Sequence, residues 1–312
     1  MIKQNKIAIL LAAYNGKQYI QEQIGSILNQ KNVEVMIFIS IDPSTDGTRE
    51  LLEATYCTNP YVAILNDVGK FGGAAKNFFR LIRDVDFTPY DFIAFADQDD
   101  IWYQDKLSHA IQKLNETKSD GYSSNVLAFW EDGREKLIVK SQPQCQYDYL
   151  FEAAGPGCTY VMTQSLAKKI QQCAIDQKEA MNYVWYHDWF CYAFARANGY
   201  TWVIDEKPSM RYRQHSDNEV GANYGWKAFL HRFQKVLYGG ALEQARDIAF
   251  LIGMKDSSFV KEWHALTRWS FIKLVFHAPQ CRRKTKDKVL FFIACLILAT
   301  LVSKRCDFLQ VQ

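Results

Sequence analysis

Apolar and polar residues fall in alternating blocks along the first 120 residues. Ile7-Ala8-Ile9-Leu10-Leu11-Ala12-Ala13 is a continuous apolar run, the pattern of a strand covered on both faces. Tyr14-Asn15-Gly16 interrupts it. Ile20, Ile24, Ile27 and Leu28 then recur at i, i+4, i+7 and i+8, which places them on one face of a helix. Val33 to Ile41 reads as a second strand. Pro43-Ser44-Thr45-Asp46-Gly47-Thr48 follows as a turn rich in helix-capping residues, and Leu51 and Leu52 mark a short helix. Val62 to Leu65 is a third strand, Gly69 to Gly73 a glycine-rich loop, and Phe78, Phe79, Leu81 and Ile82 another helical face. Asp91 to Ala96 forms a fourth strand. The next helix is expected to start at Trp102 and carry Leu107, Ala110, Ile111 and Leu114.

This β-α-β-α-β-α-β-α order predicts an α/β fold with a mostly parallel sheet and helices on both faces. Beyond residue 120 the pattern loosens. Val126 to Trp130 and Leu137 to Val139 read as strands joined by the turn Glu131-Asp132-Gly133-Arg134. Gly155-Pro156-Gly157 precedes a strand over Cys158 to Met162. A helix is expected over Leu166 to Ile175, and another from His187 that Gly199 ends. Tyr200 to Ile204 is the last clear strand, and Arg211-Tyr212-Arg213-Gln214-His215 closes the segment.

Composition narrows the class. The chain has 312 residues, 48% hydrophobic and 14% aromatic, enough for one large domain or up to two. A net charge of +3 gives no global argument for nucleic acid. The eight cysteines form no CxxC pair, and none has zinc spacing. Their mostly apolar neighbours suit buried free thiols. The N-terminus lacks the apolar core and cleavage site of a signal peptide, so a cytoplasmic location is expected. No GxGxxG opens the first helix and no GxxxxGK[ST] occurs, which argues against dinucleotide and P-loop sites.

The candidate chemistry centres on Asp97-Gln98-Asp99-Asp100, directly after the fourth strand. Open α/β sheets bind ligands at the carboxyl ends of their strands. Carboxylates this close repel unless a cation lies among them, and hard oxygen ligands suit Mg²⁺ or Mn²⁺. An Asp-rich turn capping the next helix is the alternative.

Four separated motifs occur in order: Ala13-Tyr14-Asn15-Gly16, Ile41-Asp42-Pro43-Ser44-Thr45-Asp46-Gly47-Thr48, the acid cluster, and His187-Asp188-Trp189 followed by Arg213-Gln214-His215. Over roughly residues 5 to 222 this set resembles a family 2 inverting glycosyltransferase of the GT-A fold. The strings DQDDIW, HDW and YRQHxxNxxG (Tyr212 to Gly221) most resemble the bacterial rhamnosyltransferase branch. That branch builds cell-wall polysaccharides and O-antigens from dTDP-rhamnose.

The resemblance implies a role for each matching residue. Asp99 and His215 would hold the metal, and Asp97 would contact the nucleotide ribose. Asp100 would be scaffold, capping the following helix. Asp188 would be the general base, or a cap for the helix beginning at Trp189. Ala12, Tyr14, Asn15 and Asp42 would line the nucleotide slot, with Asp42 accepting from the pyrimidine N3–H. Here the pattern departs from the family, since Ile41 replaces an acid and Pro43 a Gly or Asn. Gly157 would let the donor sugar approach the backbone, or serve a tight turn. Trp189 would stack on an acceptor sugar or fill the core. Lys70 is read as a solvated loop lysine.

The expected partners are a nucleotide sugar (dTDP-rhamnose or a UDP-sugar) and a lipid-linked or glycan acceptor, with Mn²⁺ or Mg²⁺ as cofactor. A UDP-hexose or N-acetylhexosamine transferase of capsule or exopolysaccharide synthesis is the alternative. A nucleotidyltransferase fits less well, because its glycine- and lysine/arginine-rich opening loop is missing. A catalytically dead partner of another transferase is disfavoured by the retained Asp99, Asp188 and His215.

The expected boundary separates a catalytic domain, 1–225, from a helical C-terminal region, 226–312. Basic and aromatic residues interleave from Trp226 to Tyr238. Trp269, Phe271, Ile272, Leu274, Val275 and Phe276 cluster, and Arg282, Arg283, Lys284, Lys286 and Lys288 precede the fourteen-residue apolar run Val289 to Val302. A bilayer span needs roughly 17–25 residues. The run therefore predicts an interfacial helix on the inner face of the cell membrane. Packing on the catalytic domain, or on a second copy in a homo-oligomer, is the alternative.

Overall fold

The computed structural model describes residues 4–215 and 240–309, the last without side chains beyond Leu301. The Trp226–Tyr238 stretch, and Asn218 and Gly221 of the closing motif, lie outside the described residues. The chain divides into two units: Met1–Ser141 with Ala154–Gly221, and Gln142–Ala153 with Ala222–Gln312.

The first unit runs β1 (Asn5–Ala13), α1 (Ile20–Leu28), β2 (Val33–Ile41), α2 (Thr48–Tyr56), β3 (Val62–Ile64), α3 (Ala74–Asp84) and β4 (Phe92–Ala96). It continues through β5 (Ile101–Trp102), α4 (Lys106–Thr117), β6 (Gly121–Ser124), β7 (Val126–Trp130), β8 (Glu135–Ile138), β9 (Val161–Thr163) and α5 (Gln164–Asp176). It closes with α6 (Lys178–Met181), α7 (His187–Ala197), β10 (Trp202–Asp205) and β11 (Met210–Gln214).

The central sheet has the order β10-β6-β9-β4-β1-β2-β3. Its pairings are parallel except at β9, which runs antiparallel to both β4 and β6. The expected mostly parallel α/β sheet is what forms. Ile7, Ile9, Leu11, Ile37, Ile39, Ala94 and Ala96 are buried beneath Ile20, Ile24, Ile27, Leu107 and Ile111 of the flanking helices. That is why β1 and β4 read as unbroken apolar runs.

Two expectations are corrected locally. The helix after the acid cluster starts at Lys106, because Ile101 and Trp102 instead pair antiparallel with Arg211 and Met210. This small strand belongs to a second sheet, β5-β11-β7-β8. The N-cap residue of α4 is Asp105, so Asp100 is not the cap. Fully buried, Asp100 instead accepts from the backbone N–H of Arg213 through Oδ1, at 3.1 Å. β6 also goes unread in the sequence, since Gly-Tyr-Ser-Ser carries no strand pattern. It is buried nonetheless, and an added side chain at Gly121 would collide with the Trp202 indole.

The second unit contains α8 (Gly240–Leu251), α9 (Ser258–Trp263), α10 (Arg268–Cys281) and α11 (Thr285–Leu309). Ser257 and Thr267 cap α9 and α10 through their hydroxyls, as their polar side chains favour. Arg283 is buried and pairs with Asp148 at 2.9 Å, also donating to the Ala153 carbonyl. The Tyr147 ring stacks on Phe259 at 3.7 Å. These contacts hold the Gln142–Ala153 segment to the helices. Among the described residues, no helix is long and apolar enough to cross a membrane.

Candidate active site

The carboxyl ends of β1, β2 and β4 meet in a stitched set of loops. Gln98 grips the loop after β1 twice: its Oε1 accepts from Tyr14 N and its Nε2 donates to Tyr14 O, both at 2.8 Å. A side chain at Gly16 would collide with this amide, so the glycine is required by the close approach. Asn15, at φ 45°, takes the left-handed conformation an asparagine tolerates. Its N–H donates to Ser44 Oγ, and its Oδ1 accepts from Thr45 N. Tyr14 stays 54% exposed and so offers a free aromatic face at the strand end. Ala12 lies one residue inside β1, half-buried.

Asp42 is buried, and its two oxygens accept from Phe71 N at 2.7 Å and Gly72 N at 2.9 Å. The acid thus holds the glycine-rich loop at the mouth of the slot, a role unread in the sequence. Lys70 in that loop is exposed.

The acid cluster divides in a way that its order in the chain does not reveal. His215 Nε2 lies 2.8 Å from Asp99 Oδ2. Asp97, Asp100 and Cys158 instead gather with potential ligand atoms within 4.8 Å of one another. Of the two groups, Asp99 with His215 is the better cation site. Burial, reinforced by Asp99 and Asp97, holds the Asp100 carboxyl well above its usual range. Burial likewise keeps the Cys158 thiol protonated, and a protonated thiol is no ligand for a hard cation. A carboxylate and an imidazole, with Asp97 two residues away, fit Mn²⁺ or Mg²⁺, and the nitrogen favours Mn²⁺.

Arg213 braces this pole. Its Nε donates to the Asp99 carbonyl at 2.8 Å, and its guanidinium pairs with Glu22 between the rings of Tyr19 and Phe129. Below the cluster, Lys106 is fully buried, with Nζ 4.2 Å from the Trp102 ring centroid. Burial pushes its ammonium down to about 8, opposed by Cys158 and Asp100.

The HDW motif forms a second pole at the start of α7. The His187 ring stacks on Phe78 at 3.8 Å and meets Phe95 edge-on. Burial pushes it down to about 3, so it is neutral. An added Cβ at Gly157 would lie 2.7 Å from His187 Nε2 and 3.2 Å from Asp188 Cβ. The missing side chain at Gly157 therefore admits the histidine. Asp188 follows with Oδ1 accepting from Trp189 N at 2.7 Å. Burial pushes its carboxyl up to about 6, opposed by the Trp189 N–H and the charge of Lys140. Trp189 is only 8% exposed. Of its two expected roles, filling the core matches this burial more closely than stacking on a sugar.

Comparison with known proteins adds four findings. The model described as Glycosyl transferase family 2 matches residues 8–164. The "dTDP-rhamnosyl transferase RfbG" of Shigella flexneri is 44% identical over 289 residues, 92% of this chain and 99% of that protein. The "UDP-Glc:alpha-D-GlcNAc-diphosphoundecaprenol beta-1,3-glucosyltransferase WfaP" of Escherichia coli is 26% identical, covering 55% of this chain and 66% of its own. Among solved structures, S. aureus TarS 1-349 in complex with UDP-GlcNAc superposes with a TM-score of 0.53 at 14% identity, covering 97% and 92% of the two chains.

Proposed function

The chain belongs to glycosyl transferase family 2, and on that premise we propose that it transfers L-rhamnose from dTDP-rhamnose, with inversion, to a lipid-linked or polysaccharide acceptor in bacterial cell-surface glycan synthesis. The observation that carries this reading is the 44% identity, over 92% of the chain, with a dTDP-rhamnosyl transferase.

The residues divide the work in a chemically consistent way. The nucleotide base rests in the slot of Ala12, Tyr14 and Asn15, with Asp42 holding the loop beside it. Asp97 takes the ribose. Asp99 and His215 would hold a divalent ion, whose Lewis acidity would help to neutralise the charge of the departing diphosphate. The acceptor hydroxyl oxygen attacks the anomeric carbon from the face opposite the nucleotide, and the bond to dTDP breaks. Asp188 takes the hydroxyl proton. A carboxyl near 6 is ionised at neutral pH and is a stronger base than an ordinary aspartate. Gly157 keeps the wall beside it thin.

A peripheral location on an anionic membrane surface accompanies this reading. α11 carries two apolar faces. Phe291, Ala294, Cys295 and Leu298 are buried, while Val289, Phe292, Ile293 and Leu296 are exposed on the opposite side. Trp269 and Phe276 of α10 are 70% and 78% exposed, and Lys284, just before α11, and Lys286, in its first turn, are exposed. Apolar contact with flanking positive charge is what an anionic lipid surface rewards.

A second reading, a UDP-hexose donor, draws on the 26% identity with the UDP-glucose-dependent enzyme. A thermal-shift panel of dTDP-rhamnose, UDP-glucose and UDP-N-acetylglucosamine, each with and without Mn²⁺, separates the two. A ligand that binds only the native state raises its melting temperature. The largest rise is expected from dTDP-rhamnose with Mn²⁺; a larger rise from a UDP-sugar would overturn the donor assignment.

A further inference from the structure

Phe71 lies outside the hydrophobic core, yet the fold fixes it at the carboxyl end of the sheet. Asp42 holds its backbone. Oδ1 accepts from Phe71 N at 2.7 Å, and Oδ2 from Gly72 N at 2.9 Å. Gly72 takes φ 77°, a left-handed conformation that glycine adopts at no steric cost. Two successive N–H groups thereby converge on one anion. Arg80 holds the ring, its guanidinium carbon 5.8 Å from the Phe71 ring centroid and within cation–π reach. The arginine is itself buried and fixed, donating to Ser40 Oγ at 2.8 Å, the Asn66 carbonyl at 2.8 Å and Asp84 Oδ2 at 2.9 Å. Phe71 is only half-buried, so part of it stays accessible.

The sheet order places this ring at one end of the donor site. β4, β1, β2 and β3 are neighbours in that order and run parallel, so their carboxyl ends form a row. Asp99 follows β4, Tyr14 follows β1, Asp42 follows β2, and the loop carrying Phe71 follows β3. β1 and β2 end in register, with Asp42 N donating to the Ala13 carbonyl at 2.8 Å. Tyr14 and Phe71 thus flank Asp42 from the two adjoining strand ends. Three strand spacings, about 14 Å, separate β4 from β3, a span that a nucleoside diphosphate covers. With the diphosphate at Asp99 and His215, the base falls at Asp42 and Phe71.

The two side chains would read different features of a pyrimidine. A carboxylate has about four lone-pair sites, so Asp42 keeps capacity for the N3–H beyond the two N–H groups it already accepts. Thymine and uracil both carry that N3–H, and the acid does not distinguish them. The bases differ in the 5-methyl group, which only apolar contact can recognise. The Tyr14 ring ends in a polar hydroxyl, whereas the Phe71 ring is wholly apolar. Such a ring stacks on a base and gives added area to a methyl group.

We propose that Phe71 is a specificity-determining residue for the donor, packing on the pyrimidine and reading the 5-methyl group that separates thymine from uracil. This rests on the dTDP-sugar reading, and the test separates the two. Binding of dTDP, dUDP and UDP to the full-length chain with Mn²⁺ is measured by calorimetry in wild type, Phe71→Ala, Phe71→Asn and Phe71→Tyr. Relative to dTDP, dUDP lacks only the methyl group. Wild type should bind dTDP about fourfold tighter than dUDP, the worth of one buried methyl. Both ring-less variants should bind dTDP about tenfold more weakly and bring the dTDP-to-dUDP ratio close to one. Phe71→Tyr should keep the wild-type ratio. Two ring-less variants guard against a folding defect in one. An unchanged ratio in a folded ring-less variant, or a wild type that binds dTDP and dUDP alike, overturns the proposal and leaves the dTDP reading standing. A wild type that binds UDP tighter than dTDP overturns both.

Discussion

His215 Nε2 sits 2.8 Å from Asp99 Oδ2, although the two residues are 116 positions apart. The approach depends on β11, which pairs with β5 and β7 and brings the segment after Gln214 back over the acid loop. Arg213, two residues before His215, fastens it to Asp99 and Asp100. The pair is therefore a consequence of the second sheet, and it predicts a shared cation. His215→Ala should raise the Mn²⁺ concentration for half-maximal activity by about tenfold or more, since loss of even an outer-shell partner costs 10–100-fold in affinity or activity. A Mn²⁺ titration of activity is the check, and an unchanged half-point would remove His215 from the metal site.

The two glycines of the Gly155-Pro156-Gly157 turn should respond differently to alanine. At Gly157 the new methyl would stand 2.7 Å from His187 Nε2, against a ring already stacked on Phe78. At Gly155 the nearest atom is a carbonyl at 3.5 Å, an ordinary contact. Gly157→Ala should lower kcat/KM by about 100-fold, because a displacement of about 1 Å at a reacting group costs about that much. Gly155→Ala should stay within about twofold of wild type. Equal effects at the two positions would mean that the packing of His187 does not set the geometry of Asp188.

Asp188 also makes a prediction about stability. Its folded carboxyl is raised from 3.8 to about 6. Between those values the folded state holds more protons than the unfolded chain, so stability falls as pH rises through that window. Above about pH 6 the full cost of the buried charge is present. Asp188→Asn removes it and should raise the melting temperature by a few degrees at pH 7.5, with less effect at pH 4. Melting curves at the two pH values are the check; a variant less stable at pH 7.5 would contradict the raised value.

The exposed apolar faces of α10 and α11 predict binding to anionic vesicles. Phe276→Asp with Phe292→Asp alters two exposed side chains, 78% and 41% accessible, and should leave the melting temperature within about 2 °C. Each change places a charge where an acyl boundary is expected. Co-sedimentation with vesicles of mixed phosphatidylglycerol and phosphatidylethanolamine should fall at least about fivefold. Unchanged sedimentation would remove this face as the contact.

Sequence legibility followed the physics of each element. β1 and β4 carry buried, unbroken apolar runs and are read from them, and β2 is read from its mostly apolar run despite Glu34 and Ser40. β6 is invisible because Gly121-Tyr122-Ser123-Ser124 has neither alternation nor a run, and its burial depends on Trp202 packing over Gly121. The nearness of Asp99 to His215 and the place of Asp188 at a helix start are legible through motif order. Their neighbours are not. Gln98 and Asn125 act through hydrogen bonds to distant backbone groups, which leave no local pattern. The division among the three acids is likewise tertiary: Asp100 points inward to Arg213 N and Asp99 toward His215.

The central claim is that Asp188 takes the acceptor's proton in a transfer from dTDP-rhamnose, and one paired measurement tests it. Wild type and Asp188→Asn are compared for transfer of radiolabelled rhamnose to endogenous acceptors in bacterial membranes, with dTDP affinity measured on the same preparations by calorimetry. The account predicts that Asp188→Asn loses transfer by about 100-fold or more, in line with a general base worth 10²–10⁴, while dTDP binds within about threefold of wild type. Transfer by Asp188→Asn within tenfold of wild type would contradict it.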